Sequence, residues 1–324
     1  MAQLSYREAV AAAMAQEMRL DDRVVFLGED VGEAGGVFKA TLGLYDEFGP
    51  TRVRDTPISE QAILGACMGA AMTGLRPIAE IMFSDFFAVC WDTVVNEIAK
   101  ARYMSNGQHE TPLVIRSANG GGARFGAQHS QSIENWAMAV PGIKVVAPSN
   151  AADVKGLLAG AIRDPDPVLF FEQKAMYGNK CEVPDGEYVI PLGIAATPRE
   201  GTDVTIVALA NMVPKSLKAA EILEKEHGIS CEVIDPRTLV PLDTKTILES
   251  VTKTGRLVTV EENPRLCGWG AEVASIVGEE LFWNLDAPIT RITTPHIPLA
   301  SVDVLEDMMI PSVERIVDTI SKMD

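Results

Sequence analysis

Two α/β domains, each with a mostly parallel sheet, are the fold class this sequence predicts. Three observations carry the expectation. Short β-branched runs alternate with longer stretches of helical period through most of the chain, and that alternation predicts parallel strands covered by helices on both faces. The alternation stops near residue 178, where "GNKCEVPDGEYVIPLG" holds turn residues and no long period, and it restarts with "DVTIVAL" at 203. The length of 324 residues favours about two domains, and an apolar share of 47% is enough to give each a core. The expected division is 1–180, a linker at 181–200, and 201–324.

Taken in order, each element has a local reason. "SYRE" at 5–8 has the pattern of a capping box, Ser5 as cap and Glu8 reaching back. Val10, Ala13, Met14 and Met18 follow at helical spacing. "VVFLGED" from residue 24 reads as a buried strand with acids at its carboxyl end. A helix is expected over 59–74, headed by Glu60. Gly65 and Gly69, like Ala66 and Ala70, stand four apart on one side of it. Such small residues admit another backbone, so a tight helix contact between subunits is expected there, with Gly74 as a C-cap. "RPIAEIM" reads as a strand, and 86–100 as a helix with Phe87, Trp91, Val94 and Ile98 on one face. "PLVIR", "KVVAP" and "VLFFE" are further strands. Beyond the linker, "DVTIVAL", "ISCEVID", "RLVTVEE" and "APITRIT" continue the pattern, with helices between them and Ser312 capping the last.

Composition removes several functions. A net charge of -17 opposes nucleic-acid binding, which needs basic groups on phosphates, and permits a basic protein partner. The five cysteines, Cys67, Cys90, Cys181, Cys231 and Cys267, are scattered and never spaced C-x-x-C. That fits a reducing, cytoplasmic setting without zinc or disulfides. Arg7 and Glu8 interrupt the region where a secretory leader would be apolar. The longest apolar run, near 62–72, is too short and too rich in glycine to span a membrane.

Ligands of open parallel sheets bind at the carboxyl edge of the strands. Glu29, the loop after "PLVIR" and Glu172 fall at such ends. The loop, "SANGGGARFGAQHSQS" at 117–132, has three consecutive glycines and carries His129, a group able to act as acid or base near neutral pH. No Walker phosphate loop is present. "GWGAEV" at 268–273 has Val273 where a dinucleotide fingerprint needs its third glycine, so it reads as a helix start. Glu60 admits two readings: an acid complementing the helix dipole, or a carboxylate held beside a buried seam for chemistry.

Taken together, "GEDVGEAGGVF", "RVRDTPISEQAI", "GLRPIAEIMF", "ARYMSNG", "AQHSQS", "PGIKVVAPSN", "AIRDPDPV", "EVIDPRTLVPLD", "KTGRLVTVEE" and "VLEDMMIPSVERI" resemble one family across nearly the whole chain. It is the beta subunit of the thiamine-diphosphate-dependent decarboxylase component of 2-oxo acid dehydrogenase complexes. Its relatives act on pyruvate, branched-chain 2-oxo acids or acetoin, and "TTPHIP" with "VLEDMMIPS" looks closest to the acetoin and pyruvate members.

The resemblance implies a transketolase-like fold, with a pyrimidine-binding domain followed by a transketolase C-terminal domain. It makes Glu60 the acid that bonds the pyrimidine ring nitrogen, so favouring the imino tautomer that takes the proton from the thiazolium carbon. Met82 and Phe86 match positions packed against the pyrimidine, Glu29 an acid near the cofactor, and His129 the histidine assisting acyl transfer to a lipoyl group. Leu113, Ala161, Asp164 and Asp166 match a monovalent-cation site, with potassium implied. "GDG", the motif that holds the diphosphate and its Mg2+, is absent. That implies an alpha subunit completing the site, an alpha2beta2 heterotetramer, and docking on a lipoyl-bearing acyltransferase core. Two rival readings are a fragment of a single-chain transketolase or deoxyxylulose-phosphate synthase, and a non-catalytic scaffold on the core enzyme.

Overall fold

A computed structural model describes residues 1–323. Asp324, the last residue of the second expected domain, lies outside the described residues. The chain folds as two compact units, Met1–Asn119 with Trp136–Leu192, and Gly120–Asn135 with the residues from Gly193 onward. The glycine-rich loop thus belongs to the second unit although it follows a strand of the first.

Strands of the first unit are β1 (Ala2–Ser5), β2 (Val24–Gly28), β3 (Val53–Asp55), β4 (Arg76–Phe83), β5 (Val114–Asn119), β6 (Lys144–Val146), β7 (Val168–Gln173) and β8 (Lys180–Val183). The main sheet runs in the order β6-β7-β5-β4-β2-β3, and each of these neighbours is parallel. Central strands are apolar almost throughout because both faces are covered: Ile78, Ile81, Ile115, Leu169 and Phe170 are fully buried. The capping box forms as the sequence predicts, with Glu8 N–H donating to Ser5 Oγ and Ser5 N–H donating to Glu8 Oε2 at 2.7 Å. It starts the Tyr6–Leu20 helix, whose apolar face joins that of the Ala151–Arg163 helix in the core.

Two local expectations change. The 86–100 segment is helical over Phe87–Asp92 but widens into a π-turn over Thr93–Ile98. Phe87, Val94 and Ile98 are still buried, so the wider turn keeps the predicted face inward. The 181–200 stretch is not free of structure. β8 pairs antiparallel with β1, Leu4 opposite Cys181, and Ala196–Arg199 is also a strand.

The second unit holds β9 (Ala196–Arg199), β10 (Val204–Ala208), β11 (Cys231–Asp235), β12 (Thr238–Val240), β13 (Leu257–Pro264) and β14 (Thr290–Thr294). Five of them form a sheet in the order β14-β13-β10-β11-β9, with only β9 antiparallel. Ile206, Val233, Val258 and Val260 share its core with Ile316 and Ile320 of the last helix, Val313–Ile320. Ser312 caps that helix, accepting from Arg315 N–H at 3.2 Å. Among the described residues no helix is long and apolar enough to cross a membrane.

Candidate functional site

Three neighbouring strands of the first unit, β3, β2 and β4, end side by side at one edge of the sheet. Glu29 follows β2, the Glu60–Met72 helix follows β3, and Met82 and Phe86 stand at the end of β4. The parallel alternation therefore gathers four of the sequence-predicted site residues at the carboxyl edge, where such sheets bind ligands.

Glu60 is the first residue of its helix and is only 8% exposed. Ser59, the residue before it, makes no side-chain cap. Its backbone N–H lies close enough to the Glu29 carboxylate to favour that group's charged form. Two acids thus share one helix start, where free N–H groups favour negative charge. Burial pushes the Glu29 pKa up, and the charges of Glu60, Asp30 and Glu80 push it the same way, against the Ser59 N–H. The loop after Glu29 is tied to β3 by Gly32 N–H donating to Asp55 Oδ1 at 2.7 Å. A Cβ at Gly32 would stand 2.5 Å from Asp55 Oδ2, so a larger residue there would have to displace the carboxylate that holds the loop. Thr56 N–H donates to Gly28 O at 2.9 Å, while Thr56 Oγ1 is buried with no partner. An unsatisfied hydroxyl beside two buried acids suits a polar ligand.

Phe86 stacks edge-on against Phe83 at 5.5 Å between ring centroids, and Met82 is half-buried. Together they give the shelf an apolar wall. Cys67 and Cys90 contribute no nucleophile, since burial pushes both thiols up to about 12.

Sequence reasoning missed the cluster beneath this edge. Arg116 on β5 is 1% exposed and forks onto Glu172 of β7, at 2.6 and 2.9 Å, while its Nη1 reaches Glu80 of β4 at 2.9 Å. Tyr177 Oη donates to Glu172 at 2.9 Å. Burial opposes the Arg116 charge, but Glu172 and Glu80 outweigh it and hold its pKa above the ordinary value. Burial raises the Glu80 pKa, with Glu172 adding and Arg116 opposing. Glu172, expected at an open strand end, is fully buried and belongs to this ion cluster. The one available signal was an arginine inside the apolar run "PLVIR". Met82, Glu80, Arg116 and Tyr177 line a cavity of about 10 Å3, room for one water molecule.

His129 belongs to the second unit and is half-buried. Its N–H donates to Gly126 O at 3.4 Å, and Gly120 N–H donates to Gln131 O at 3.0 Å, closing the base of the loop. Ser130 beside it is fully buried, its Oγ without a partner.

The four cation-site residues lie at the opposite, amino edge of the first sheet, before β5 and β7. Thr111 N–H donates to Pro165 O and Val168 N–H to Leu113 O, which brings the two segments together. Asp164 takes Lys144 Nζ on both oxygens at 2.6 Å, and Asp166 takes Arg102 Nη1 at 2.6 Å. With the carboxylates already charge-paired, a cation here would rest on carbonyl oxygens such as those of Leu113 and Ala161. Among the described residues no group of three or more histidine, cysteine or carboxylate side chains is arranged to hold a metal.

Comparison with known proteins adds to this geometry. Residues 2–180 match the family described as "Transketolase, pyrimidine binding domain", and 193–316 match "Transketolase, C-terminal domain". The chain is 49% identical to the acetoin:2,6-dichlorophenolindophenol oxidoreductase subunit beta of Bacillus subtilis, over 97% of this chain and 95% of the relative. It is 48% identical to the 2-oxoisovalerate dehydrogenase subunit beta of the same organism, over 92% and 91%. Identity to the pyruvate dehydrogenase E1 component subunit beta of Rickettsia felis is 47%, over 99% and 98%. A solved structure titled "Split gene transketolase, inactive beta4 tetramer" superposes with a TM-score of 0.81 at 26% identity, covering 98% of this chain and 97% of that one.

Proposed function

The chain belongs to the transketolase-like family of beta subunits of thiamine-diphosphate-dependent pyruvate, acetoin and branched-chain 2-oxo acid dehydrogenases, and from that membership we propose that it carries the pyrimidine half of a site shared with an alpha subunit. The reaction is oxidative cleavage of pyruvate or acetoin followed by reductive acylation of a lipoyl group. A branched-chain 2-oxo acid is the second substrate reading, favoured by a relative of nearly equal identity.

The observation that supports this most is the pairing of Glu60 and Glu29 at one helix start, on a shelf walled by Met82 and Phe86. When bound, thiamine diphosphate supplies the nucleophilic carbon that no side chain offers. Glu60 shares a proton with the pyrimidine ring nitrogen. Glu29 lies beside the Ser59 end of the helix and keeps a second acid close. Met82 and Phe86 exclude water from one face of the ring. His129 moves a proton during acyl transfer. Mg2+ and the diphosphate fall to the alpha subunit, because this sequence holds no "GDG". The segments of Leu113, Ala161, Asp164 and Asp166 would hold a monovalent cation such as potassium mainly through carbonyl oxygens, in a structural role.

The assembly proposed is alpha2beta2, docked on a lipoyl-bearing acyltransferase core. An exposed edge-to-face pair on the second unit, Phe282 and Trp283 at 4.9 Å, together with the charge of -17, suits a basic partner. The five unpaired cysteines suit the reducing cytoplasm. The transketolase reading loses ground because identity to the split-gene transketolase, 26%, is well below the 47–49% to the dehydrogenase subunits.

The test is Glu60→Gln, reconstituted with the alpha subunit and assayed with pyruvate, acetoin and branched-chain 2-oxo acids against an artificial electron acceptor. Loss of a positioned proton donor is expected to cost about 10²–10⁴ in rate. Full activity in the variant would leave the scaffold reading in possession.

A further inference from the structure

Within the second unit, the motif "VLEDMMIPS" touches the loop "GGGARFG" through a single buried carboxylate. Glu306, on the Asp303–Met309 helix, is fully buried. Gly122 N–H donates to its Oε1 at 2.9 Å, and Arg124 N–H to its Oε2 at 3.2 Å. Arg124 Nη1 donates to Oε2 again, at 2.6 Å. Gly121 N–H donates to Glu262 Oε1 on β13 at 3.2 Å. A Cβ at Gly121 would stand 2.7 Å from Leu299 Cδ1 and 2.8 Å from Ile310 Cδ1. The loop therefore packs closely against Leu299 and Ile310, whose side-chain ends would have to shift to admit a larger residue.

These contacts differ in weight. Arg124 also reaches Asp303 at 3.2 Å and Asp307 at 2.7 Å, but those carboxylates are 78% and 66% exposed. Exposed pairs contribute little and are screened by salt. Glu306 is dry, and its bonds are charge-assisted, hence about twice as strong as neutral ones. It also holds the backbone of residues 122 and 124 directly, where side-chain motion cannot absorb a loss.

We propose that Glu306 is a positioning residue for the reaction: by fixing residues 122–124 it sets where His129, five positions further along the same loop, presents its imidazole. This rests on the reading of His129 as the group assisting acyl transfer, and the test separates the two. Arg124 completes the latch from the loop side. The Asp303–Met309 helix thereby gains a role in acyl transfer without touching the reacting atoms.

The experiment uses the component reconstituted with its alpha subunit, with a lipoyl-bearing protein as acyl acceptor and a dye as electron acceptor. Glu306→Gln keeps the shape and removes the charge. Its lipoyl acylation is expected to fall about tenfold further than its dye reduction, the order of loss that a small misplacement of a reacting group produces. Amide hydrogen exchange should rise in 120–126 and stay unchanged in the sheet. His129→Ala should show the same split, and the double variant should be no slower in acylation than His129→Ala alone. Equal slowing of both half-reactions by E306Q, or additive losses in the double variant, would overturn the proposal. If His129→Ala gives no split, the His129 assignment fails, and the exchange rates then decide the anchor by themselves. Should E306Q not assemble, Arg124→Met removes the guanidinium and leaves both amide bonds. It is expected to give a smaller split of the same kind, and an unchanged ratio would count against the latch.

Discussion

At the scale of single residues, Glu29 carries a cost. Burial and three neighbouring acids raise its pKa, and one backbone N–H opposes them. A carboxyl whose folded pKa lies above its unfolded value binds protons more readily in the folded state. Its contribution is therefore fully present at low pH and is lost as pH rises from the ordinary carboxylate range through the raised value. Glu29→Gln is accordingly expected to raise the thermal midpoint of the chain at neutral pH. The gain should shrink as pH falls through the raised value and vanish below the usual carboxylate range, read from unfolding curves across a pH series. A midpoint that drops at pH 7 would contradict the electrostatic account. Held acids that reduce stability are a recurrent property of functional sites. Arg116 shows the opposite balance. Removing it strands Glu172 and Glu80 in the core, so Arg116→Met is expected to cost about 3–5 kcal/mol in denaturant unfolding. Adding Glu172→Gln should recover part of that loss, and failure to recover any would mean that the arginine contributes packing alone.

At the scale of elements, what could be read in advance was what depends on nearby residues. The capping box of Ser5 and Glu8, the glycine-flanked helix after Glu60 and the strands "VVFLG", "RPIAEIM" and "VLFF" each declare themselves within ten residues. Strands β1, β3, β8, β9 and β12 did not, because each has three or four residues and no alternation of its own. β8 exists through its partner β1, far back along the chain, and β9 carries Pro198 at a sheet edge, where a missing N–H is tolerated. The same distance hid part of the site. Glu60 was visible as a helix-leading acid, and the chemistry proposed for it came from resemblance. The Arg116 cluster joins three strands, and Glu306 meets Gly122 across 184 positions, so no local period announces either. The capping box offers a clean test. Ser5→Ala is expected to cost about 1 kcal/mol. The Ser5 side-chain and backbone bonds lower the Glu8 pKa, so the stability Glu8 adds is present above the ordinary carboxylate range and is lost as pH falls through the lowered value. Glu8→Gln should therefore destabilise at neutral pH and converge with the unaltered chain in acid. A penalty independent of pH would show that the bond, rather than the charge, matters.

At the scale of the whole molecule, the chain has a surface that its own fold does not use. In the Glu60–Met72 helix, Ile63, Leu64, Cys67 and Ala71 face the core, while Ala62, Gly65, Ala66 and Gly69 are exposed. A Cβ at Gly65 or Gly69 would meet nothing within 4 Å. The same unit exposes Ile58, Val89, Tyr103 and Met104, and large apolar side chains left in water point to contact with another protein. A smooth helix face serves no purpose in an isolated chain, since glycine weakens a helix by about 0.8–1 kcal/mol relative to alanine. It would suit the proposed assembly, where two backbones must approach closely. Gly65→Leu is therefore expected to leave the isolated chain as stable as before, or up to about 1 kcal/mol more so. The same variant should fail to form the full assembly with the alpha subunit, sedimenting as smaller species, and should lose at least about tenfold in activity, because the proposed site needs both chains in place. Gly65→Ala, adding one methyl group, should fall between. If Gly65→Leu assembles and turns over at the full rate, the smooth face has some other use, and the subunit seam must lie elsewhere on the chain.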